Sequence, residues 1–152
     1  MGSRERVADY LSKSGVVFEM RDFDESTKNS ALAARVLGCT VAEIAKSVVF
    51  VGGRTAVVII SGDKRVDPEK LARTMGGALR IANPEEVKEK TGYPIGGVPP
   101  FPHAQEVAVL PDRSLMRFGH VWAAAGTPHS VFKIGTPELI RLVATQPQDL
   151  AE

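Results

Sequence analysis

The chain has 152 residues, 43% of them hydrophobic and 24% charged, the size and composition of one globular domain with a substantial core. Nineteen basic residues against eighteen acidic ones leave a net charge of +1, which excludes the broad positive surface that grips long duplex nucleic acid. A lone cysteine, Cys39, excludes an internal disulfide framework and every multi-cysteine zinc site.

The first stretch, Met1 to Tyr10, is polar and lacks the apolar core of a secretion signal, and no apolar run approaches membrane-spanning length. A cytoplasmic protein is expected, with neither a membrane nor DNA as partner. Arg4 to Lys13 reads as a helix with Val7, Tyr10 and Leu11 on one face, Ser3 as its cap and Gly15 after its end. "VVFEM" predicts a short strand and "RDFDESTKNS" a polar loop. The end of that loop, Asn29 and Ser30, caps a second helix carrying Leu32, Ala33, Val36 and Leu37 and stopped by Gly38. Thr40 with Glu43 three residues later predicts a capping box and a short helical turn.

"KSVVFV" and "TAVVIIS", joined by "GGR", read as a hairpin whose unbroken β-branched runs place it at the sheet centre, covered on both faces. Asp67-Pro68 opens a helix with Leu71, Ala72 and Met75 inward, and Asn83-Pro84-Glu85-Glu86 repeats the device. Three further strands, "EVAVL", "HVWAAA" and "SVFKI", follow, then a helix from Thr136-Pro137-Glu138; the tail "TQPQDLAE" is expected to fray. Hairpin-like pairs interrupt any strict βαβ alternation. The order therefore predicts one α+β (mixed α/β) domain over residues 1–152, with a mixed, largely antiparallel sheet or partial barrel flanked by helices.

Most familiar chemistry is missing. There is no GxxxxGK[ST], no GxGxxG between strand and helix and no GxSxG elbow. His103, His120 and His129 lack metal-ligand spacing, and Cys39 has no recognisable base. Two features stand out. Lys46 sits where the Thr40 turn meets the buried strand, either as a cation on a helix C-terminus or as a charge pointing into a cleft at the sheet's end. "TGYPIGGVPPF", Thr91 to Phe101, is stiff, apolar and uncharged. It is either a turn packed down by Tyr93, Ile95, Val98 and Phe101 or a surface offering backbone N–H groups to a small ligand's carbonyl.

Taken in order, Ser30-Ala31-Leu32-Ala33-Ala34 with Leu37-Gly38, "IAKSVVF", "VDPEKLA", "TGYPIGGVPPF" and "VWAAAG" resemble the YbaK/EbsC family, over about Ser30 to Ile134. That family includes free-standing aminoacyl-tRNA deacylases and the editing insertion domain of bacterial prolyl-tRNA synthetases. The resemblance implies a hydrolase for the ester of a mischarged tRNA carrying a small amino acid, such as Cys- or Ala-tRNA(Pro). It carries the family's GxxxP loop onto Gly96 to Pro100, its lysine onto Lys46 and its late strand turn onto Ala123 to Gly126. Lys46, Gly96 and Gly97 are then the implied catalytic positions. Thr91, Tyr93, Val98, Pro99, Pro100, Ala125 and Gly126 are the implied substrate-binding ones, with no metal and no cofactor. In the implied mechanism, loop amides orient the carbonyl, the lysine holds the terminal nucleotide and the substrate's own 2′-hydroxyl or thiol assists. The implied partners are the acceptor end of mischarged tRNA and an aminoacyl-tRNA synthetase, with Lys28, Arg35, Lys64 and Arg65 as candidates for backbone contact. "PFPH" and "AAAGTPHS" depart from many relatives and reshape the pocket rim. A binding module that has lost turnover is the competing class, and the presence of both Lys46 and the Gly96-Gly97 pair favours the enzyme.

Overall fold

The computed structural model describes Met1–Glu152. Helix α1 (Ser3–Lys13) leads into strand β1 (Phe18–Asp22), and α2 (Ser30–Leu37) and a 3-10 turn (Val41–Glu43) lead into β2 (Ile44–Gly52) and β3 (Ala56–Ser61). Then come α3 (Pro68–Met75), β4 (Leu79–Ile81), α4 (Pro84–Thr91), β5 (Ala108–Pro111), a second 3-10 turn (Arg113–Arg117), β6 (His120–Ala124), β7 (Ser130–Gly135) and α5 (Thr136–Val143). No helix is long and apolar enough to cross a membrane.

Capping residues set several of these boundaries. Asn29 accepts from the Leu32 N–H, Asp67 from those of Glu69 and Lys70, and Asn83 from that of Glu86, each satisfying an orphan donor of a first helical turn. The α1 start differs from expectation: Gly2 occupies the cap position and Ser3 is the first helical residue, with no side-chain cap bond.

The sheet has seven strands in the order β1-β7-β6-β2-β3-β5, with β4 also on β2. The β2–β6 and β3–β5 pairs are parallel and the rest antiparallel, an α+β arrangement with a mixed, open sheet. All six residues of β3 are buried, as its unbroken apolar run requires. One face packs Val49, Val57 and Ile59 against Val7, Leu11, Tyr93 and Leu139; the other packs Phe50, Val58 and Ile60 against Leu71 and Leu150.

Two further features depart from the sequence reading. Strand β4 escapes it: Leu79–Ile81 is only three residues long and follows a helix-stopping glycine pair, and it approaches β2 closely because Gly52 has no Cβ to meet Leu79 and Ala78. The tail does not fray. Asp112, buried, accepts the Leu150 N–H at 2.8 Å, Leu150 is fully buried, and the Leu150 carbonyl accepts the Asp67 N–H at 2.7 Å. A single apolar anchor with main-chain bonds on both sides outweighs the polar composition around it.

Strand β2 carries two partners along one edge. Strand β6 pairs with Ile44 and Ala45, while β4 pairs with Phe50 to Gly52, so on that edge Lys46 to Val48 have no strand beside them. The Gly62 N–H donates to the Ile44 carbonyl at 2.8 Å. By the alternation of an antiparallel ladder, Lys46 and Val48 then bond toward β3, and the Ser47 main chain faces the notch.

Candidate active site

A cavity of about 530 Å³ fills this notch. Its walls are β2 from Ile44 to Val48, β6 from Trp122 to Ala124, the chain entering α2 from Thr27 to Ala31, and the loop residues Ile95, Gly96 and Val98.

Lys46 lies within β2, beyond the three-residue helical turn, and lines the cavity. Burial pushes its pKa down, Asp63 opposes that and Arg65 adds to it. Asp63 does not neutralise Lys46 by contact, because Arg117 holds both its carboxylate oxygens at 2.8 and 3.2 Å. The lysine is thus a cation without an ion-pair partner, facing the cavity. Beside it the Ser47 Oγ is buried with no hydrogen-bond partner, a state that natural structures seldom leave without a ligand or water.

The loop turns at Pro94–Gly97, where the Gly97 N–H donates to the Pro94 carbonyl at 2.9 Å and Gly96 has φ 84°, the left-handed third position of a type II turn. A Cβ on Gly96 would also strike Lys28, and one on Gly97 would lie 2.9 Å from the Thr127 backbone. That proximity lets the Gly126 N–H reach the Gly97 carbonyl at 3.0 Å. Gly96 and Val98 line the cavity, and the N–H groups of both donate to no backbone acceptor.

Of the positions carried over from sequence, Lys46, Gly96 and Val98 line the cavity; Thr91, Tyr93, Gly97, Pro99, Pro100, Ala125 and Gly126 do not. Gly97 lies off the cavity wall, and its N–H is engaged by the Pro94 carbonyl within the turn. The others hold the loop from behind. Thr91 donates to the Val87 carbonyl at 2.7 Å, Tyr93 is wholly buried, and Phe101 packs on Tyr10 and Phe132. His103 Nε2 lies 2.8 Å from the Pro99 carbonyl, and burial pushes the imidazole pKa down, so the ring is neutral and this nitrogen donates. Ala125 donates to the Ser130 carbonyl at 2.9 Å in the turn after β6.

Ser47, Trp122 and the Thr27–Ala31 segment, Lys28 apart, escape the sequence reading as site residues. Trp122 is the only tryptophan of the chain, and it carries Arg21 and Lys133 against its ring at 5.0 and 5.8 Å. Cys39 lies off the cavity with its thiol pKa pushed up by burial and then by Glu43. No three His, Cys, Asp or Glu side chains converge in metal-binding geometry.

The cavity is lined by a cation and by residues with unengaged amides, with the unpartnered Ser47 hydroxyl buried behind its wall and no paired nucleophile and base. Such a set orients and polarises a carbonyl rather than attacking it. The fold is that of a class of hydrolases. Residues 24–142 match the profile of the aminoacyl-tRNA editing domain family, and the chain belongs to that family. It is an aminoacyl-tRNA deacylase, a hydrolase acting on mischarged aminoacyl-tRNA. Among its relatives, YwhH of Bacillus subtilis, of uncharacterised function, is 37% identical over 80% of this chain and 78% of its own. The multifunctional Ser/Thr-tRNA deacylase ProXp-y of Escherichia coli is 27% identical over 92% and 87%. A crystal structure of a proposed trans-editing enzyme for prolyl tRNA synthetase superposes with a TM-score of 0.92 at 39% identity, covering 100% of this chain and 98% of that one.

Proposed function

We propose that this deacylase takes tRNA esters of small amino acids, with Lys46 on the terminal nucleotide and the loop amides of Gly96 and Val98 on the ester carbonyl. The observation that carries the reading is the placement of an unpaired Lys46 and two unengaged amides in one cavity of about 530 Å³. That volume lies within the ordinary range of about 300–1,000 Å³ for small-ligand pockets, and small side chains at Ala33, Ala45, Ala123 and Ala124 line it. We take the acyl group to be a small one, alanine, cysteine, serine or threonine.

Two readings of the acyl group differ in chemistry. Cys- or Ala-tRNA(Pro) suits the apolar wall of Ala33, Ala124 and Val131. Ser- or Thr-tRNA is the alternative, favoured by the relative ProXp-y, which is named for that pair, and by the unpartnered Ser47 Oγ, which a rotation of the side chain would turn toward a substrate hydroxyl.

The test is a deacylation panel of Ala, Cys, Ser and Thr on tRNA(Pro) and on other tRNAs, run with the wild type and Lys46→Ala. The proposal requires turnover of at least one such ester, resistance of bulky aminoacyl esters, and a loss in Lys46→Ala of about a hundredfold, the scale of a missing electrostatic contact in the transition state. Binding without turnover on every member would identify a module that has lost catalysis.

A further inference from the structure

We infer that the open groove between the start of β6, β7 and the start of α5 binds a phosphate of the tRNA strand leading to the cavity, with Lys133 and Arg141 as its contacts. The inference rests on the deacylase reading above and deepens it, adding a binding surface outside the cavity.

The groove has a volume of about 630 Å³ and takes in His120, Lys133, Glu138 and Arg141, with Glu19 and the exposed Val17 on its β1 side. It lies on the same face of the sheet as the cavity. The register sets Ile44 against Trp122, Trp122 against Lys133 and Lys133 against Glu19. Directly paired residues point to one face, as do residues two apart on a strand. Lys46, Trp122 and Ala124 on the cavity wall therefore share their face with His120 and Lys133 in the groove. Trp122 divides the two spaces: it lines the cavity and carries the Lys133 ammonium against its ring at 5.8 Å. His120 is two residues before Trp122, about 7 Å of strand.

Neither Lys133 nor Arg141 joins an ion pair within the chain. The carboxylates around them are engaged elsewhere. Glu19 is paired with Arg21, and Glu43 accepts from the Thr40 N–H and Oγ1 at 2.9 Å each. Glu138, the third residue of α5, folds back over Gly135 into the space a Cβ there would need, and a carboxylate in a first helical turn is offset by the helix dipole. Two cations are left without an answering charge. The Trp122 ring positions Lys133 without neutralising it, because an ammonium held on an aromatic face keeps its donors. Arg141 adds a planar fork that matches phosphate oxygens two at a time.

The occupant is a phosphate of the substrate itself. With the aminoacyl ester in the cavity, the nucleotides that precede it begin within one side chain of the groove, and cations that follow the backbone are the usual grip on a single strand. A net charge of +1 leaves room only for local contacts of this kind. The groove touches neither the ester nor the residues around it, so it contributes equally to the ground state and the transition state. Such uniform binding appears in KM and not in kcat.

The test compares Lys133→Gln and Arg141→Gln with wild type on two substrates: a mischarged tRNA that wild type cleaves, and the aminoacyl-adenosine that carries the same ester and no phosphate. Arg54→Gln is the control for lost charge. Arg54 is exposed, has no ion pair and follows the far end of β2, about 26 Å of strand beyond Ile44. On tRNA at low salt, each groove variant should raise KM about fivefold or more, keep kcat within about twofold, and reduce the slope of log KM against log salt by about 1. On aminoacyl-adenosine both should match wild type, and Arg54→Gln should match it on both substrates. Wild-type KM on tRNA in both groove variants would overturn the assignment and leave the deacylase reading intact. So would an equal rise in Arg54→Gln, or an equal rise on aminoacyl-adenosine. Failure of the wild type itself on every mischarged tRNA would overturn both.

Discussion

At Lys46 the proposed role in activity is set against a cost in stability. Burial lowers its pKa, so between that lowered value and the ordinary lysine value of about 10.4 the unfolded chain binds more protons than the folded one. Stability attributable to this group therefore rises as pH climbs through that window, and below it the cost of burying the charge is present in full. Lys46→Met should melt higher than wild type at neutral pH, lose the alkaline rise, and lose about a hundredfold in turnover; paired melting and deacylation measurements across neutral to alkaline pH check all three. Gly97 behaves differently. Because a Cβ there meets the Thr127 backbone at 2.9 Å rather than substrate, Gly97→Ala should lower stability by about 1–3 kcal/mol, the scale of an overpacked contact, and should lower turnover as well. A full-strength melt with impaired turnover would show the Thr127 contact to be slack.

At the scale of elements, the tail is held by a polar contact at each end of one apolar residue. Asp112→Ala removes the acceptor of both the Leu150 and Ser114 N–H groups and should cost about 1–3 kcal/mol for each donor left buried without a partner. Chemical denaturation should register the loss, and turnover per folded molecule should hold, since the cavity lies elsewhere. Elements with strong local signals were legible in the sequence: the caps at Asn29, Asp67 and Asn83, the β-branched hairpin, and the helix stops at Gly38 and Gly76. Strand β4 was not, because three residues hold too little pattern and its stability comes from β2. Nor was the docking of Leu150, which depends on Asp112 nearly forty positions earlier, a distance that no local periodicity reports. At the site, Lys46 and the glycine loop were legible as oddities of composition. That Val98, rather than Gly97, keeps its amide unengaged is a fact of hydrogen-bond direction, which residue names do not encode.

For the whole molecule, the near balance of charge bears on how tRNA is held. With a net charge of +1 the expected grip is on a few phosphates, so log KM should change with log salt by a correspondingly small slope. Lys64, two residues beyond the cavity residue Gly62, is a candidate for one of them. Lys64→Glu should raise KM, leave kcat alone, and flatten that slope by about 1; steady-state deacylation at several salt concentrations tests it. The parallel union of β2 with β6 has a further consequence, in the order of assembly. The β2–β3 hairpin closes a short loop, whereas Ile44 must wait for Trp122 to return from far along the chain, and closure of so long a segment is slow. The notch between β6 and β4 is therefore a late-forming feature. Truncating Trp122 should speed unfolding far more than it slows folding, and a chain still waiting for β6 has a complete hairpin but no chamber in which to hydrolyse anything.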